Sequence, residues 1–185
     1  MSSLIGNVGL KVIEEFVKSC NCLDGDIAEV GVYKGGSADV ICSVTNKHVY
    51  LFDTFKGIPF SCEHDNYCKV GDFGDTTEEN VRNFLKTKGY KNFTTHKGIF
   101  PDETSSVIID HKFCFVHLDV DVYESYKKCL EFFYSNMVKG GIILFDDYNT
   151  SFTKGSKIAV DEFFIHLPEK VTKTNYISST YIIKQ

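Results

Sequence analysis

The chain has 185 residues, of which 43% are hydrophobic, and a formal net charge of −5. Such a length supports one domain with a complete core. The acidic balance argues against a nucleic-acid or anionic-membrane partner held by bulk electrostatics.

Residues 9–20 place apolar side chains three and four apart, which predicts an amphipathic helix. A turn over 21–25 leads into a short buried strand, 27–32. This strand runs into E-V-G-V-Y-K-G-G-S (29–37), and a helix is predicted from 38 to 44. A glycine-rich strand-to-helix turn lets a ligand approach the backbone and exposes a helix N-terminus. The spacing is not G-x-G-x-x-G, so the dinucleotide fingerprint fails. The next strand, 49–52, is closed by Asp53, 22 residues after Gly31. An acid at the end of the second strand is placed to take both hydroxyls of an adenosine ribose; the bland alternative is a strand-end turn.

Residues 54–76 form a long irregular loop, a length associated with lids and binding loops. It carries His64, Asp65, Asp72 and Asp75, readable as ligands or as solvated loop residues. A helix over 77–88 has Glu78 and Glu79 in its first turn and Gly89 beyond its end. A strand at 93–96 and a short helix at 101–109 follow.

The stretch from 113 to 148 is the most informative. F-C-F-V-H-L-D-V-D-V-Y-E-S and K-G-G-I-I-L-F-D-D-Y are two apolar runs that both end in acids, Asp119 and Asp121 after the first, Asp146 and Asp147 after the second. Residues 123–138 between them have room for one helix. A strand, helix and parallel strand bring both acidic ends to one sheet edge, where open α/β sheets bind ligands. Four converging carboxylates call for a cation or a proton-handling role. A helix at 155–166 and candidate strands at 170–174 and 177–184 complete the chain. The fold class is a doubly wound α/β sheet of about seven strands with an antiparallel C-terminal strand, expected as one domain over residues 1–185.

The seven cysteines are odd in number and scattered, unlike a disulfide framework. No run of about 18 apolar residues predicts a membrane span, and the N-terminus lacks signal-peptide organisation. The default expectation is therefore a cytoplasmic protein without a membrane partner.

Taken in order, A-E-V-G-V-Y-K-G-G-S (28–37), L-F-D-T-F-K-G-I-P (51–59), V-G-D-F (70–73), K-G-I-F-P-D-E-T (97–104), H-L-D-V-D-V-Y-E-S (117–125), G-G-I-I-L-F-D-D-Y (140–148) and A-V-D-E-F (159–163) resemble the macrocin O-methyltransferase (TylF-type) family over nearly the whole chain. The resemblance implies a Rossmann-like methyltransferase fold and magnesium-dependent O-methylation of sugars by S-adenosylmethionine. It implies that Glu29, Gly31, Gly35, Gly36 and Ser37 hold the methionine end of the cofactor. Asp53 and Thr54 would hold the ribose, and residues 98–100, including Gly98 and Phe100, would lie near the adenine. Asp119, Asp146 and Asp147 match the family's metal-binding acids, and Asp121 matches a general base used by some members.

Many members carry more sequence before the glycine turn, and the domain is expected to be without their extended N-terminal lid segment. The acceptor pocket is then open, completed by the 54–76 loop, or completed by another subunit of a homo-oligomer. A sugar on a glycan, a nucleotide sugar, a small natural product or a catechol-like diol would all fit as the acceptor. His117 shares a strand face with Asp119 and is a weaker candidate base than a buried structural histidine. Two other readings compete, a catalytically inactive S-adenosylmethionine-binding module and a metal-dependent enzyme of another class. The full set of acids speaks against the first, and the glycine turn with Asp53 against the second.

Overall fold

The computed structural model describes residues 3–185. Five helices and seven strands alternate: α1 Asn7–Cys20, β1 Asp26–Val30, α2 Gly36–Ser43, β2 Val49–Asp53, α3 Glu78–Thr87, β3 Phe93–Lys97, β4 Phe113–Leu118, α4 Tyr123–Asn136, β5 Met137–Phe145, α5 Lys154–Phe164, β6 Thr172–Lys173 and β7 Thr180–Ile183. They build one sheet in the order β3-β2-β1-β4-β5-β7-β6. Strands β1 to β5 are parallel, and β7 runs antiparallel to both β5 and β6.

The period-2 alternation of the strands explains the layers. Ile27, Leu51, Phe115 and Leu144 face the core under α1, α2 and α3, with Ile13, Val17, Ile41 and Leu85 opposite them. Their sequence neighbours Ala28, Phe52, Val116 and Phe145 face the core under α4 and α5, with Tyr126, Leu130, Phe133 and Val160. Each central strand thus has no solvated side, which is why it reads as a continuous apolar run.

Three local expectations change. The helix predicted over 101–109 is a run of turns ending in a 3-10 helix, Ser105–Ile108. Thr, two Ser and two β-branched residues in succession are poor helix formers. The helix after β4 stops at Asn136, and β5 starts at once at Met137. A register shift absorbs the extra residues: Phe113 pairs with Met137, but Phe115 pairs with Ile142. The strand expected at 170–174 contracts to the two residues of β6. All seven cysteines are free thiols. Among the described residues, no helix is long and apolar enough to cross a membrane.

Candidate active site

The carboxyl ends of β1, β2, β4 and β5 meet at one edge, and the backbone keeps them joined beyond the strands. The amide of Gly31 donates to the Phe52 carbonyl at 2.9 Å, Asp119 N to Val30 at 3.0 Å, and Asp146 N to Leu118 at 3.0 Å. Gly31 has φ +89°, and a Cβ there would stand 1.8 Å from the Asp119 carbonyl oxygen. Only glycine allows that approach.

A cavity of about 360 Å³ opens above this edge, within the range of small-molecule sites. One side is the turn after β1. Asp53 organises it: Oδ2 accepts from the amides of Val32 at 2.8 Å and Tyr33 at 2.7 Å, and Oδ1 from Phe55 at 2.6 Å. Burial pushes the Asp53 carboxyl up, against the lowering effect of these three N–H groups. Asp53 is thus both the strand-end turn residue and a cavity residue. Gly31, Gly36, Ser37, Thr54, Gly98 and Phe100 also line the cavity.

Two residues expected at the cofactor do not line it. Glu29 alternates with Ala28 and Val30 toward the α1 side and is fully buried. Its Oε1 is 2.8 Å from His117 Nδ1. Burial by itself would push the His117 pKa down, but the Glu29 hydrogen bond and the charges of Glu29, Asp146 and Asp147 outweigh it and raise the pKa. His117 is therefore a buried partner of Glu29, behind the acids. Gly35, with φ +81°, precedes α2, and a Cβ there would meet Val81 and Phe84 of α3.

The acids occupy the floor. Ligand oxygens of Asp119, Asp146 and Asp147 lie within 4.8 Å of one another, and Asp121 joins them on the cavity wall. Asp121 N donates to Asp147 Oδ2 at 3.2 Å, and Ser156 Oγ to the Asp121 carbonyl at 2.8 Å. These bonds hold Asp121 at φ +59°, an uncommon conformation for a residue with a side chain. The other non-glycine residues with positive φ are Tyr33, Phe55 and Phe73. With Asp121, two of these, Tyr33 and Phe73, line the cavity; such strain concentrates at functional sites. Burial first, and then the neighbouring carboxylates, push Asp119 and Asp121 well above the usual range. Burial and Asp146 push Asp147 up to about 7. Like charges in a desolvated site hold protons or require a cation. Three hard oxygen donors without histidine or cysteine suit magnesium, calcium or manganese rather than zinc.

Two contributors, Tyr126 and Thr153, carried no sequence signal of their own. Tyr126 Oη donates to the Leu118 carbonyl at 2.8 Å beneath the acids. Thr153 Oγ1 donates to the Asp147 carbonyl at 2.7 Å. In the 54–76 loop, Asp65 is a buried anchor: Oδ1 accepts from Tyr123 N at 2.9 Å and Oδ2 from Cys62 N at 3.0 Å. Asp72 accepts from Lys69 N at 2.8 Å, and Asp75 from Tyr33 Oη at 2.7 Å. The loop lines the cavity with Gly57, Ile58, Pro59 and Phe73.

Comparison with known proteins identifies the fold and the family. The family model described as macrocin O-methyltransferase (TylF) matches residues 1–177. A demethyldecarbamoylnovobiocin O-methyltransferase of Streptomyces niveus is 26% identical, over 84% of this chain and 66% of the relative, so the chain spans just under two thirds of that protein. The solved O-methyltransferase NovP superposes with a TM-score of 0.85 at 25% identity, over 99% of this chain and 82% of NovP. The calicheamicin methyltransferase CalS11 has the same fold, with a TM-score of 0.83 at 18% identity over 94% of this chain and 77% of CalS11. The fold is thus the Rossmann-like methyltransferase fold, and the chain belongs to the macrocin O-methyltransferase (TylF) family.

Proposed function

We propose that the protein transfers a methyl group from S-adenosylmethionine to one hydroxyl of a sugar or other vicinal diol. The observation that carries this reading is the joining of two half-sites through Gly31: the turn after β1 rests on the Asp119 carbonyl, and Asp119 belongs to the acidic floor. Gly31, Gly36, Ser37, Asp53, Thr54, Gly98 and Phe100 would surround the donor. Asp53 keeps acceptor capacity for a ribose beyond its three N–H bonds, because an ionised carboxylate offers about four lone-pair sites. Glu29 would support the methionine end only indirectly, through β1, which runs directly into Gly31.

Methyl transfer from a sulfonium is an in-line displacement, and the acceptor hydroxyl must lose its proton as it attacks. Asp119, Asp146 and Asp147 would hold a divalent cation, magnesium by preference. Such an ion, when bound, lowers the pKa of a neighbouring hydroxyl. Asp121 would receive the proton, as its place on the cavity wall beside Asp147 allows. Confinement of donor and acceptor at one sheet edge supplies orientation.

Calorimetry with S-adenosylhomocysteine tests the donor site directly, and absence of binding would sink this reading. With binding established, methylation of a diol panel in the presence and absence of EDTA tests the cation. Turnover is expected to vanish with EDTA and return with excess magnesium.

A further inference from the structure

β3 is the outer strand at one end of the sheet, and its far side is open. Toward β2, the Asn92 carbonyl accepts from Val49 N at 2.8 Å, and Gly98 N donates to the Asp53 carbonyl at 3.0 Å. Alternation along the strand then turns the N–H and C=O groups of Phe93, Thr95 and Lys97 away from β2, to the side where the sheet has no further strand. Space remains there: a cavity of about 660 Å³ lies against the strand, lined by Phe93, Thr95 and His96 and by Arg82, Lys86 and Lys91. Unpaired main-chain groups along an edge are a template for another extended chain.

The charge beside this edge is opposite to that of the whole chain. The net charge is −5, yet the cavity wall carries Arg82, Lys86 and Lys91 and, among the described residues, no carboxylate. The ion pairs of the region are Arg82 with Glu78 and Lys88 with Asp39. Lys86, Lys91 and Lys97 are exposed and belong to neither. Arg82 is anchored, with Nε donating to Thr95 Oγ1 at 3.2 Å and Nη2 to Glu78 at 2.6 Å. Its Nη1 is left for a ligand, since a guanidinium carries five N–H donors.

Spacing selects the occupant. Arg82 and Lys86 lie four residues apart on one face of α3, a rise of about 6 Å. Side chains two apart on an extended strand share a face and stand about 6.6 Å apart. A strand laid along β3 with carboxylates at alternate positions therefore meets both cations while its main chain continues the sheet. A second copy of β3 fits poorly, because self-pairing sets the lysines at the two ends of the strand against their counterparts. A nucleic acid has the charge but no main-chain ladder to offer.

We propose that the β3 edge docks an acidic, extended peptide segment of a protein partner, which joins the sheet as a further strand. This surface is separate from the cavity above the acids and does not depend on the methyltransferase reading.

The test titrates the isotope-labelled full chain with the acetylated, amidated peptide Glu-Val-Glu-Val-Glu-Val-Glu and follows shifts and amide hydrogen exchange by NMR. Its fully N-methylated form, its Lys-for-Glu counterpart and a single-stranded oligouridylate serve as comparison ligands. The acidic peptide is expected to bind saturably and to slow exchange at the amides of Phe93, Thr95 and Lys97, with those of Thr94 and His96, which already face β2, unchanged. The N-methylated and Lys peptides should bind at least about tenfold more weakly. The double variant Lys86→Glu, Lys91→Glu changes two exposed side chains, so it should fold, and it should weaken the acidic peptide at least about tenfold. No saturable binding, equal binding of the N-methylated peptide, protection without the alternation, or an unchanged affinity in the double variant would overturn the proposal. So would tighter binding of the oligouridylate, or a dimer seen by sedimentation that the peptide dissociates, which would give the edge to a second copy of the chain.

Discussion

At the scale of single residues, the four acids divide by their surroundings. Asp119, Asp146 and Asp147 converge within 4.8 Å, whereas Asp121 is turned by its positive φ and tied through its own amide to Asp147. Asp121→Asn keeps that backbone and removes the carboxylate proposed to accept the proton. The expected outcome is a fall in kcat of at least about 10²-fold, with S-adenosylhomocysteine affinity by calorimetry within about twofold of the unsubstituted chain; equal losses in both would make the residue structural. The positions of the acids were legible because two apolar runs end in them, and a strand-helix-strand unit admits one arrangement of their ends. The surroundings of Glu29 were not legible. Its partner His117 lies 88 residues away in sequence, and only the pairing of β1 with β4 brings them together. The threefold use of Asp53 by backbone amides was equally invisible, because it depends on how the turn after β1 folds back.

At the scale of elements, the long helices and the buried strands were read to within a few residues, and the 101–109 helix and the 170–174 strand were not. α1, α3, α4 and α5 follow 3.6-residue patterns, and the central strands follow apolar runs. The turns after Gly98 and the two-residue β6 are decided by local hydrogen bonds and by what packs over them. The 54–76 loop is the instructive case. Its length marked it as functional, but its order comes from pairings that length does not encode. Ile58 N donates to the Asp72 carbonyl at 2.9 Å, and Gly71 N to Ile58 at 3.0 Å. Asp65 then pins the loop to the start of α4. Asp65→Ala would leave the amides of Tyr123 and Cys62 without their acceptor, at a cost of about 1–3 kcal/mol each. The consequence should be local opening rather than global unfolding. Proteolytic cleavage within residues 54–76 should accelerate at least about tenfold, while Tm falls by less than about 4 °C. A large cooperative loss of Tm would show that the loop belongs to the core.

At the scale of the whole molecule, the acidic floor sets how stability responds to pH. Asp119, Asp121, Asp146 and Asp147 all have folded pKa values raised above the ordinary aspartate value, near 3.9 in an unfolded chain. Between about pH 4 and the folded values, with Asp147 at about 7, the native state binds more protons than the unfolded one. Stability of the metal-free protein must then decline as pH rises through that window. The raised pKa of His117 acts in the same direction at higher pH. Magnesium should offset the decline. At a hundredfold excess over Kd it contributes about 2.7 kcal/mol, roughly 5–10 °C in Tm for a chain of this size. Scanning calorimetry at pH 5 and 7.5 is expected to show a magnesium-dependent gain that is large at pH 7.5 and small at pH 5; equal gains would contradict the linkage. The contact between Gly31 and the Asp119 carbonyl adds a geometric consequence. The separation between the donor turn and the acid floor is set by main chain meeting main chain, with no side chain between to lengthen or shorten. On the proposed reading, the loops around the cavity can therefore vary while the path from sulfur to oxygen keeps its length, and a designer seeking a new acceptor would vary Phe73 and Phe152 on the cavity wall and leave Gly31 alone.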